Sequence, residues 1–315
     1  MQRQKLIAIV GPTASGKTRV AMELAKKLSA EIISSDSLLV YKGLDIGTAK
    51  PSKKEQDLVP HHLIDIVEAW KNYTISDFYN DAIRAISDIK SRKKNFLITG
   101  GTGFYLNALI NKPFSSPTSS NEVRKKLEQR LEKGETLSAL HDELKKIDPA
   151  SAERIHPNDK YRISRALEVF YTTGKTMSFF RNMHKEDSKD KPRNFNPLII
   201  VLNPDKEELK DAIITRTKKM FEDGLIDEVK KLLSKGCTPE MKPLKSIGYK
   251  ETIQLINGEI SCDEAILLIN KNTTALAKRQ ITWFKKQPFT LWMHPIREIN
   301  RIKETVLGFM GDPLC

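Results

Sequence analysis

Apolar positions in the first hundred residues fall into short runs separated by stretches with helical spacing. The runs at 5–10, 31–34 and 95–99 predict strands, and the first of them leads directly into Gly11. Helices are predicted from Lys17 and from 76 to about 92. Their apolar faces consist of Val20, Leu24, Leu28 and of Phe78, Ala82, Ile86, Ile89. Because strands alternate with helices, we expect an α/β fold with a parallel sheet covered on both faces.

The pattern changes after about residue 112. A Pro- and Ser-rich loop at 111–120 precedes two charged helices, at 122–133 and 137–146, that carry only narrow apolar stripes. A polar linker at 182–196 then leads to an apolar strand at 198–202. We therefore expect a helical insertion at 115–195 within an α/β core made of 1–114 and 196–315. The rest of the core should be mostly helical, with a last long helix at about 263–286.

The turn after the first predicted strand has the spacing of a phosphate-binding P-loop. Its residues fit the pattern G-x-x-x-x-G-K-[ST] between a strand and a helix, which is the context that the motif requires. They are Gly11, Pro12, Thr13, Ala14, Ser15, Gly16, Lys17 and Thr18. In such a loop the backbone amides wrap a phosphate, Lys17 meets phosphate oxygens, and the Thr18 hydroxyl reaches Mg²⁺. The motif predicts a phosphate site but leaves the phosphate compound open.

One carboxylate is expected close to this loop. Ligands of open α/β sheets bind beyond the carboxyl ends of the strands, and Asp36 follows the second predicted strand. A carboxylate beside an anion site suits metal binding or proton transfer, whereas an aspartate after a strand also suits a helix N-cap. The strand at 95–99 ends in glycines without the acid found in many ATPases, which weakens a simple ATPase interpretation.

Composition restricts the class of protein. The chain has 315 residues, of which 39% are hydrophobic and 30% charged, and no apolar run approaches the ~20 residues that span a bilayer. Its three cysteines (Cys237, Cys262 and Cys315) are far apart, which suits a reducing cytoplasm and no zinc cluster. The net charge of +13 is equally compatible with binding a polyanion and with a basic surface kept for solubility.

Six further segments occur in an order that is specific as a set. The first, Ile33 to Pro51, has the sequence ISSDSLLVYKGLDIGTAKP. The others are Gly100-Gly-Thr-Gly-Phe-Tyr105, Ile155-His-Pro-Asn-Asp159, Ser164-Arg-Ala-Leu-Glu-Val169, Ser246-Ile-Gly-Tyr249 and Lys278-Arg-Gln-Ile-Thr-Trp-Phe284. Together with the P-loop they resemble the tRNA dimethylallyltransferases, also called tRNA isopentenyltransferases, from about residue 6 to residue 286.

The resemblance implies a P-loop kinase-like core and a helical insertion that contacts tRNA. It implies transfer of a dimethylallyl group from dimethylallyl diphosphate to the exocyclic amine of the adenosine on the 3′ side of the anticodon, with Mg²⁺ as cofactor. The partner is then the anticodon stem-loop, and we expect a monomer because one chain supplies every segment.

Two alternative functions share the P-loop: an adenylate isopentenyltransferase acting on a free nucleotide, and a small-molecule kinase. A third is a non-catalytic RNA-binding protein. The insertion and the basic C-terminal half favour RNA over a small acceptor.

The resemblance also assigns roles to residues. Asp36 is the general base, Thr13 to Thr18 hold the diphosphate with Arg216 as a helper, and Arg162 also stabilises the departing diphosphate. The residues implied to contact tRNA are Asp36, Ser37, Leu38, Leu39, Thr102, Arg124, Tyr161, Arg162, Ile163, Ser164, Arg165, Lys245, Lys250, Lys278, Arg279 and Lys285. Many relatives have Gln where this chain has Tyr161.

The predicted helix at 263–286 combines basic and aromatic residues. The segment 271–287 carries five Lys or Arg residues and no acid. Its basic side chains are the better candidates for RNA contact, and we expect Trp283 to pack in the core rather than to stack on a base.

Overall fold

The protein folds into two compact units. The computed structural model describes residues 3–113, 120–189, 195–288 and 290–311. The core unit consists of 1–113 together with 193–315, and the inserted unit consists of 114–192. Much of the Pro- and Ser-rich loop and the end of the polar linker, at 114–119 and 190–194, lie outside the described residues.

The core unit contains one sheet of six parallel strands within the described residues. The strands are β1 (Gln4–Val10), β2 (Ala30–Ser34), β3 (His61–His62), β4 (Asn95–Gly100), β5 (Phe195–Leu202) and β6 (Thr290–Met293). Their order across the sheet is β3-β2-β4-β1-β5-β6. In β1, Leu6 and Ala8 pack into one hydrophobic cluster and Ile7 and Ile9 into another, so both faces of the sheet are covered, as predicted.

Helices supply those covers. In the core unit they are α1 (Lys17–Lys27), α2 (Lys53–Leu58), α3 (Ile75–Ser91), α4 (Gly103–Asn111), α10 (Lys206–Glu222), α11 (Leu225–Ser234), α12 (Tyr249–Ile256), α13 (Cys262–Lys285) and α14 (Ile299–Met310). The four buried residues of α3 are the ones that the sequence pattern predicted. Its start is fixed by a capping box, in which the Thr74 hydroxyl accepts from the Asp77 amide and the Asp77 carboxylate accepts from the Thr74 amide.

The inserted unit is helical and has a hydrophobic core of its own. Its helices are α5 (Asn121–Glu132), α6 (Leu137–Ile147), α7 (Pro149–Ala152), α8 (Lys160–Thr173) and α9 (Met177–Lys189). Leu127, Leu140, Leu144 and Leu167 are buried together there, which explains the narrow apolar stripes of these charged helices. The buried Asp148 carboxylate accepts from the amides of Ser151 and Ser178 and so ties α9 to α7.

Several predicted boundaries were wrong. The polar linker does not begin at 182, because α9 continues to Lys189. The segment has no Pro or Gly before Pro192, and a helix once started extends through polar residues at little cost. Strand β5 begins at Phe195 rather than 198, since it pairs with β1 from Gln4 onward. The short strands β3 and β6 and the helix α14 were not predicted. None of the described helices is both long and apolar enough to cross a lipid bilayer.

Candidate active site at the carboxyl edge of the sheet

Three functional segments meet where three neighbouring strands end. The P-loop follows β1, Asp36 follows β2, and the glycine turn Gly100–Gly103 follows β4, which lies between them in the sheet. Because the strands are parallel, these ends share one edge. The Ser35 amide donates to the Thr99 carbonyl at 2.7 Å. A Cβ at Gly100 would lie 2.4 Å from the Ser35 hydroxyl, so the glycine allows this close approach.

The P-loop has the backbone conformation of an anion cradle. Ala14 and Gly16 have φ values of 63° and 79°, in the left-handed region that alternates backbone direction in phosphate-binding loops. Gly11 also has positive φ, and a Cβ there would lie 2.5 Å from the Leu202 carbonyl oxygen. The Ser15 hydroxyl is buried and has no hydrogen-bond partner among the described residues, which leaves a donor for a phosphate oxygen.

Lys17 is held inside this loop. Its Nζ donates to the Pro12 carbonyl at 2.6 Å. Burial lowers the pKa of Lys17 to about 8, the Asp36 carboxylate opposes this shift, and the Arg216 guanidinium reinforces it. The ammonium is thus poorly solvated, and a bound anion would stabilise its charged form.

Arg216 brings a second cation to the loop. One guanidinium nitrogen donates to the Thr13 hydroxyl at 3.0 Å and another donates to the Thr48 carbonyl, also at 3.0 Å. Burial lowers the pKa of Arg216, with Asp36 acting in the opposite direction. The structure therefore brings together Lys17, Arg216 and the P-loop, which the sequence expected to share one site.

The Thr48 carbonyl is placed by a network that sequence reasoning missed. The Glu228 carboxylate accepts from the amides of Asp45, Ile46 and Gly47 at 2.9, 2.7 and 3.1 Å and from the Tyr249 hydroxyl at 2.7 Å. A Cβ at Gly47 would lie 2.6 Å from the Tyr249 ring, so only glycine fits beneath it. Gly47 and Tyr249 both lie in the segments quoted above, but nothing in the sequence indicates that they touch.

The two carboxylate oxygens of Asp36 differ in their hydrogen bonding. Its Oδ1 accepts from the Leu38 amide at 2.9 Å, which forms a side-chain-to-backbone turn. The helix N-cap alternative is wrong, because the residues that follow form turns and α2 begins only at Lys53. No hydrogen bond to Oδ2 occurs within the described part of the chain. The Ser37 amide donates to the Thr102 hydroxyl at 3.2 Å and so joins the Asp36 turn to the glycine turn.

Trp283 packs behind the glycine turn, as expected. A Cβ at Gly103 would lie 2.2 Å from its ring, and the ring meets Phe284 edge-on at a centroid distance of 5.1 Å. The neighbouring Lys278, Arg279 and Lys285 are exposed on the same helix. Lys250 is exposed on α12, and Lys245 is exposed in the turn before that helix. Both groups remain candidates for RNA contact.

The inserted unit carries a second group of the predicted RNA residues, whereas Asp36 to Leu39 and Thr102 lie in the core unit. Tyr161 is 75% exposed near the start of α8, and Arg162 beside it pairs with Asp159 at 3.1 Å. The Ile163 side chain, by contrast, is buried in the core of this unit and does not face solvent, because it lies on the inner face of α8. Arg124 and Arg165 pair with the buried Glu168 at 3.5 and 2.9 Å.

The magnesium prediction fits the oxygen atoms at the P-loop. Mg²⁺ prefers oxygen ligands, and the Thr18 hydroxyl in the first turn of α1 would supply such an oxygen beside the phosphate cradle. Asp205, Glu208 and His294 form a second group whose ligand atoms lie within 4.8 Å of one another. There the amides of Ile296 and Arg297 donate to His294 Nδ1, so Nε2 carries the proton that it donates to Glu208 at 2.7 Å. Asp205 and Glu208 form the N-terminal capping box of α10. Because His294 Nε2 carries a proton and Nδ1 already accepts two amides, the group is ill-suited to a metal.

Comparisons with known proteins show the family to which this chain belongs. The family model described as IPP transferase matches residues 39–287. The tRNA dimethylallyltransferase of Geobacter metallireducens is 42% identical over 308 residues, covering 98% of each chain. The chain belongs to the IPP transferase family. Its resemblance to the tRNA dimethylallyltransferases, deduced from the ordered segments, is thereby confirmed.

Solved structures of IPP transferase family members have the same fold. The full-length tRNA isopentenylpyrophosphate transferase of Bacillus halodurans is 37% identical, with a TM-score of 0.72 and 98% of each chain covered. A eukaryotic dimethylallyltransferase acting on tRNA is 28% identical, with a TM-score of 0.78 over 98% of this chain and 79% of its own. The predicted α/β class with a P-loop kinase-like core is confirmed.

Proposed function

We propose that this chain is a prenyltransferase that moves the dimethylallyl group of dimethylallyl diphosphate to the exocyclic amine of the tRNA adenosine on the 3′ side of the anticodon. The product is N6-dimethylallyladenosine. The observation that carries this proposal is the meeting of the phosphate cradle and Asp36 at one edge of the sheet, in a chain of the IPP transferase family.

The cradle acts on the leaving group. When the bond between the allylic carbon and the bridging oxygen breaks, negative charge grows on the diphosphate. Lys17 and Arg216 both contact the P-loop, and in this proposal they and the P-loop amides stabilise that charge electrostatically. Magnesium held by Thr18 would neutralise part of the diphosphate charge. In this proposal Arg162 of the inserted unit also stabilises the departing diphosphate.

Asp36 acts on the nucleophile. Adenine's exocyclic amine is weakly nucleophilic, because its lone pair is delocalised into the ring. In this proposal Oδ2 accepts one amine proton as the new nitrogen–carbon bond forms, while Oδ1 keeps the turn in place. The base must leave its stack to reach the site, at a cost of a few kcal/mol.

The tRNA surface is proposed from charge and exposure. The core unit contributes the exposed basic residues of α13 together with Lys245 and Lys250, and the inserted unit contributes Tyr161, Arg162 and Arg124. These side chains suit contacts to the backbone and unstacked bases of an anticodon loop. We propose a monomer acting in the cytoplasm, since one chain supplies every segment named and its scattered cysteines suit a reducing compartment.

The decisive experiment compares three acceptor reactions. The protein is incubated with Mg²⁺ and dimethylallyl diphosphate plus either unmodified tRNA or AMP, and separately with ATP and small-molecule kinase substrates. Mass spectrometry of tRNA nucleosides should show one prenyl unit added to adenosine. Prenylated AMP without prenylated tRNA would instead identify an adenylate isopentenyltransferase, and phosphate transfer from ATP would identify a kinase. Tight tRNA binding without any transfer would identify a non-catalytic RNA-binding protein.

A further inference from the structure

A single side-chain amide bridges the P-loop and the glycine turn. Gln280 Oε1 accepts from the Thr13 amide at 2.9 Å, and Gln280 Nε2 donates to the Gly101 carbonyl, also at 2.9 Å. We propose that Gln280 is a positioning residue that fixes the distance between the diphosphate cradle and the general base. This inference rests on the proposed function, because it assigns the amide a task in that reaction.

The bridge is specific to a glutamine amide. One end of the side chain meets a backbone donor and the other meets a backbone acceptor, so only one orientation of the amide satisfies both. A Cβ at Gly101 would lie 2.4 Å from Gln280 Nε2, so glycine is needed for the amide to reach the turn. Gln280 therefore points inward, whereas Lys278 and Arg279 beside it are exposed.

The helix that carries Gln280 is itself held on both sides of the bridge. Ala277 is buried against Leu209 and Ile213 of α10, and the partly buried Ala14 and Ile281 pack against the same cluster. On the other side, the Trp283 ring fills the space beside Gly103. Because the helix is packed on both sides of Gln280, the bridging amide is held in place and is not a mobile surface group.

The glycine turn, at one end of the Gln280 bridge, is in turn linked to Asp36, the proposed general base. Thr102 follows Gly101, and its hydroxyl accepts from the Ser37 amide at 3.2 Å. Ser37 is adjacent to Asp36, whose Oδ1 is fixed by the Leu38 amide. A chain of hydrogen bonds and backbone links thus runs from the P-loop through Gln280 and the glycine turn to Asp36. Transfer needs the amine and the allylic carbon about 3–3.5 Å apart, so loosening this chain should slow chemistry more than binding.

The test uses Gln280→Met, which keeps the side-chain length and removes both hydrogen bonds. The matched control is Gln287→Met, since Gln287 lies just beyond α13 and, within the described residues, its Nε2 bonds only to the Trp283 carbonyl of that helix. Single-turnover prenyl transfer at saturating tRNA should fall about 10- to 100-fold in Gln280→Met and stay unchanged in the control. The Kd for tRNA should stay within about twofold of the wild-type value.

A second readout separates positioning from a merely structural role. Water can replace the amine: its oxygen bonds to the allylic carbon, the bond to the diphosphate oxygen breaks, and a proton is released to solvent. The ratio of dimethylallyl alcohol to prenylated tRNA should rise in Gln280→Met. A parallel fall of both products with a lower Tm would overturn the inference. So would an unchanged rate, or a weaker tRNA Kd with an unchanged saturating rate, which would make Gln280 an RNA contact.

A third readout does not depend on prenyl transfer. Binding of dimethylallyl diphosphate should slow hydrogen exchange at the Thr102 and Gly103 amides in the wild-type chain, and this protection should be lost in Gln280→Glu. That variant keeps the acceptor for Thr13 but places a carboxylate oxygen against the Gly101 carbonyl. Retained protection in Gln280→Glu would refute the positioning role of Gln280, even if tRNA proved not to be the acceptor. Lost protection would support that role whether or not tRNA is the acceptor.

Discussion

At the scale of single residues, the proposed function gives the Asp36 carboxylate two tasks. Oδ1 accepts from the Leu38 amide, and in that proposal Oδ2 takes the proton of the amine. The sequence left a capping role and a catalytic role open as alternatives. The structure removes the helix cap but retains a backbone hydrogen bond, so a variant that removes the whole carboxylate tests both tasks at once.

Asp36→Ala should lower prenyl transfer by about 10²- to 10⁴-fold while tRNA affinity is largely kept, because the general base is lost. Asp36→Asn is the matched variant, since its amide oxygen can still accept from Leu38 but cannot take a proton. Both variants should be similarly slow in single-turnover assays. Normal activity in Asp36→Asn would remove the carboxylate from the mechanism.

Lys17 should make donor binding sensitive to pH. Because burial depresses its pKa to about 8, the free protein loses this positive charge as the pH rises through 8. An anion binds the charged form, so the Kd for dimethylallyl diphosphate should be flat below pH 8 and rise above it, by up to about tenfold per pH unit. Calorimetric titration from pH 6.5 to 9.5 measures this. Lys17→Arg, whose charge persists, should give a flat profile, and a flat wild-type profile would contradict the assignment.

At the scale of elements, the loops after the strands form the candidate site, and side chains from α10, α11 and α13 hold these loops in position. Helix α10 supplies Arg216, α11 supplies Glu228, and α13 supplies Gln280. Each of these side chains contacts a loop that is more than 150 positions away in the chain. The sequence predicted that this part of the chain is mostly helical, but not which loops these three side chains contact.

Glu228→Ala should destabilise the protein and weaken donor binding. Three backbone amides of the loop 45–47 would lose their acceptor, and the two part-buried ones, of Ile46 and Gly47, would cost about 1–3 kcal/mol each if left unsatisfied. Thr48 would then no longer hold Arg216 against Thr13, so the KM for dimethylallyl diphosphate should rise. Urea unfolding and steady-state kinetics measure the two effects. Glu222→Ala, at an exposed position of α10, is the control and should change stability by less than about 0.5 kcal/mol.

At the scale of the whole molecule, charge becomes informative only when it is placed on the fold. A net charge of +13 does not distinguish RNA binding from a solubility requirement. The structure places Lys278 and Arg279 exposed on the helix that packs behind the glycine turn. Lys26 and Lys27 instead lie at the end of α1. Since α1 starts at the P-loop and runs away from it, they lie toward the opposite edge of the sheet.

Replacing Lys278 and Arg279 together with alanine should weaken tRNA binding and reduce the slope of log Kd against log salt by about 1–2, because each lost phosphate contact releases about one counterion fewer. Affinity for dimethylallyl diphosphate should not change. The Lys26 and Lys27 double alanine variant removes the same charge and should leave the slope near the wild-type value. Equal effects of the two pairs would show a diffuse electrostatic contribution rather than a surface near the site.

The sequence by itself determined the local parts of this protein. The P-loop, β1, α1 and α3 follow from contiguous patterns, since apolar periodicity, capping residues and glycine spacing act within about 20 residues. The family also follows from the order of short segments. Asp36 was placed beside the cradle by the rule that parallel strands end at one edge.

Only the tertiary structure decided which distant residues complete the site. Glu228 with the loop 45–47, Gln280 with the P-loop and glycine turn, and Trp283 beside Gly103 are contacts between separate segments. Nothing in the spacing of either partner specifies them. The short strand β6 is likewise defined by its pairing with β5 rather than by its own four residues. The physical reason is that side-chain hydrogen bonds and close packing depend on where whole elements come to lie, which the pattern within any one element does not contain.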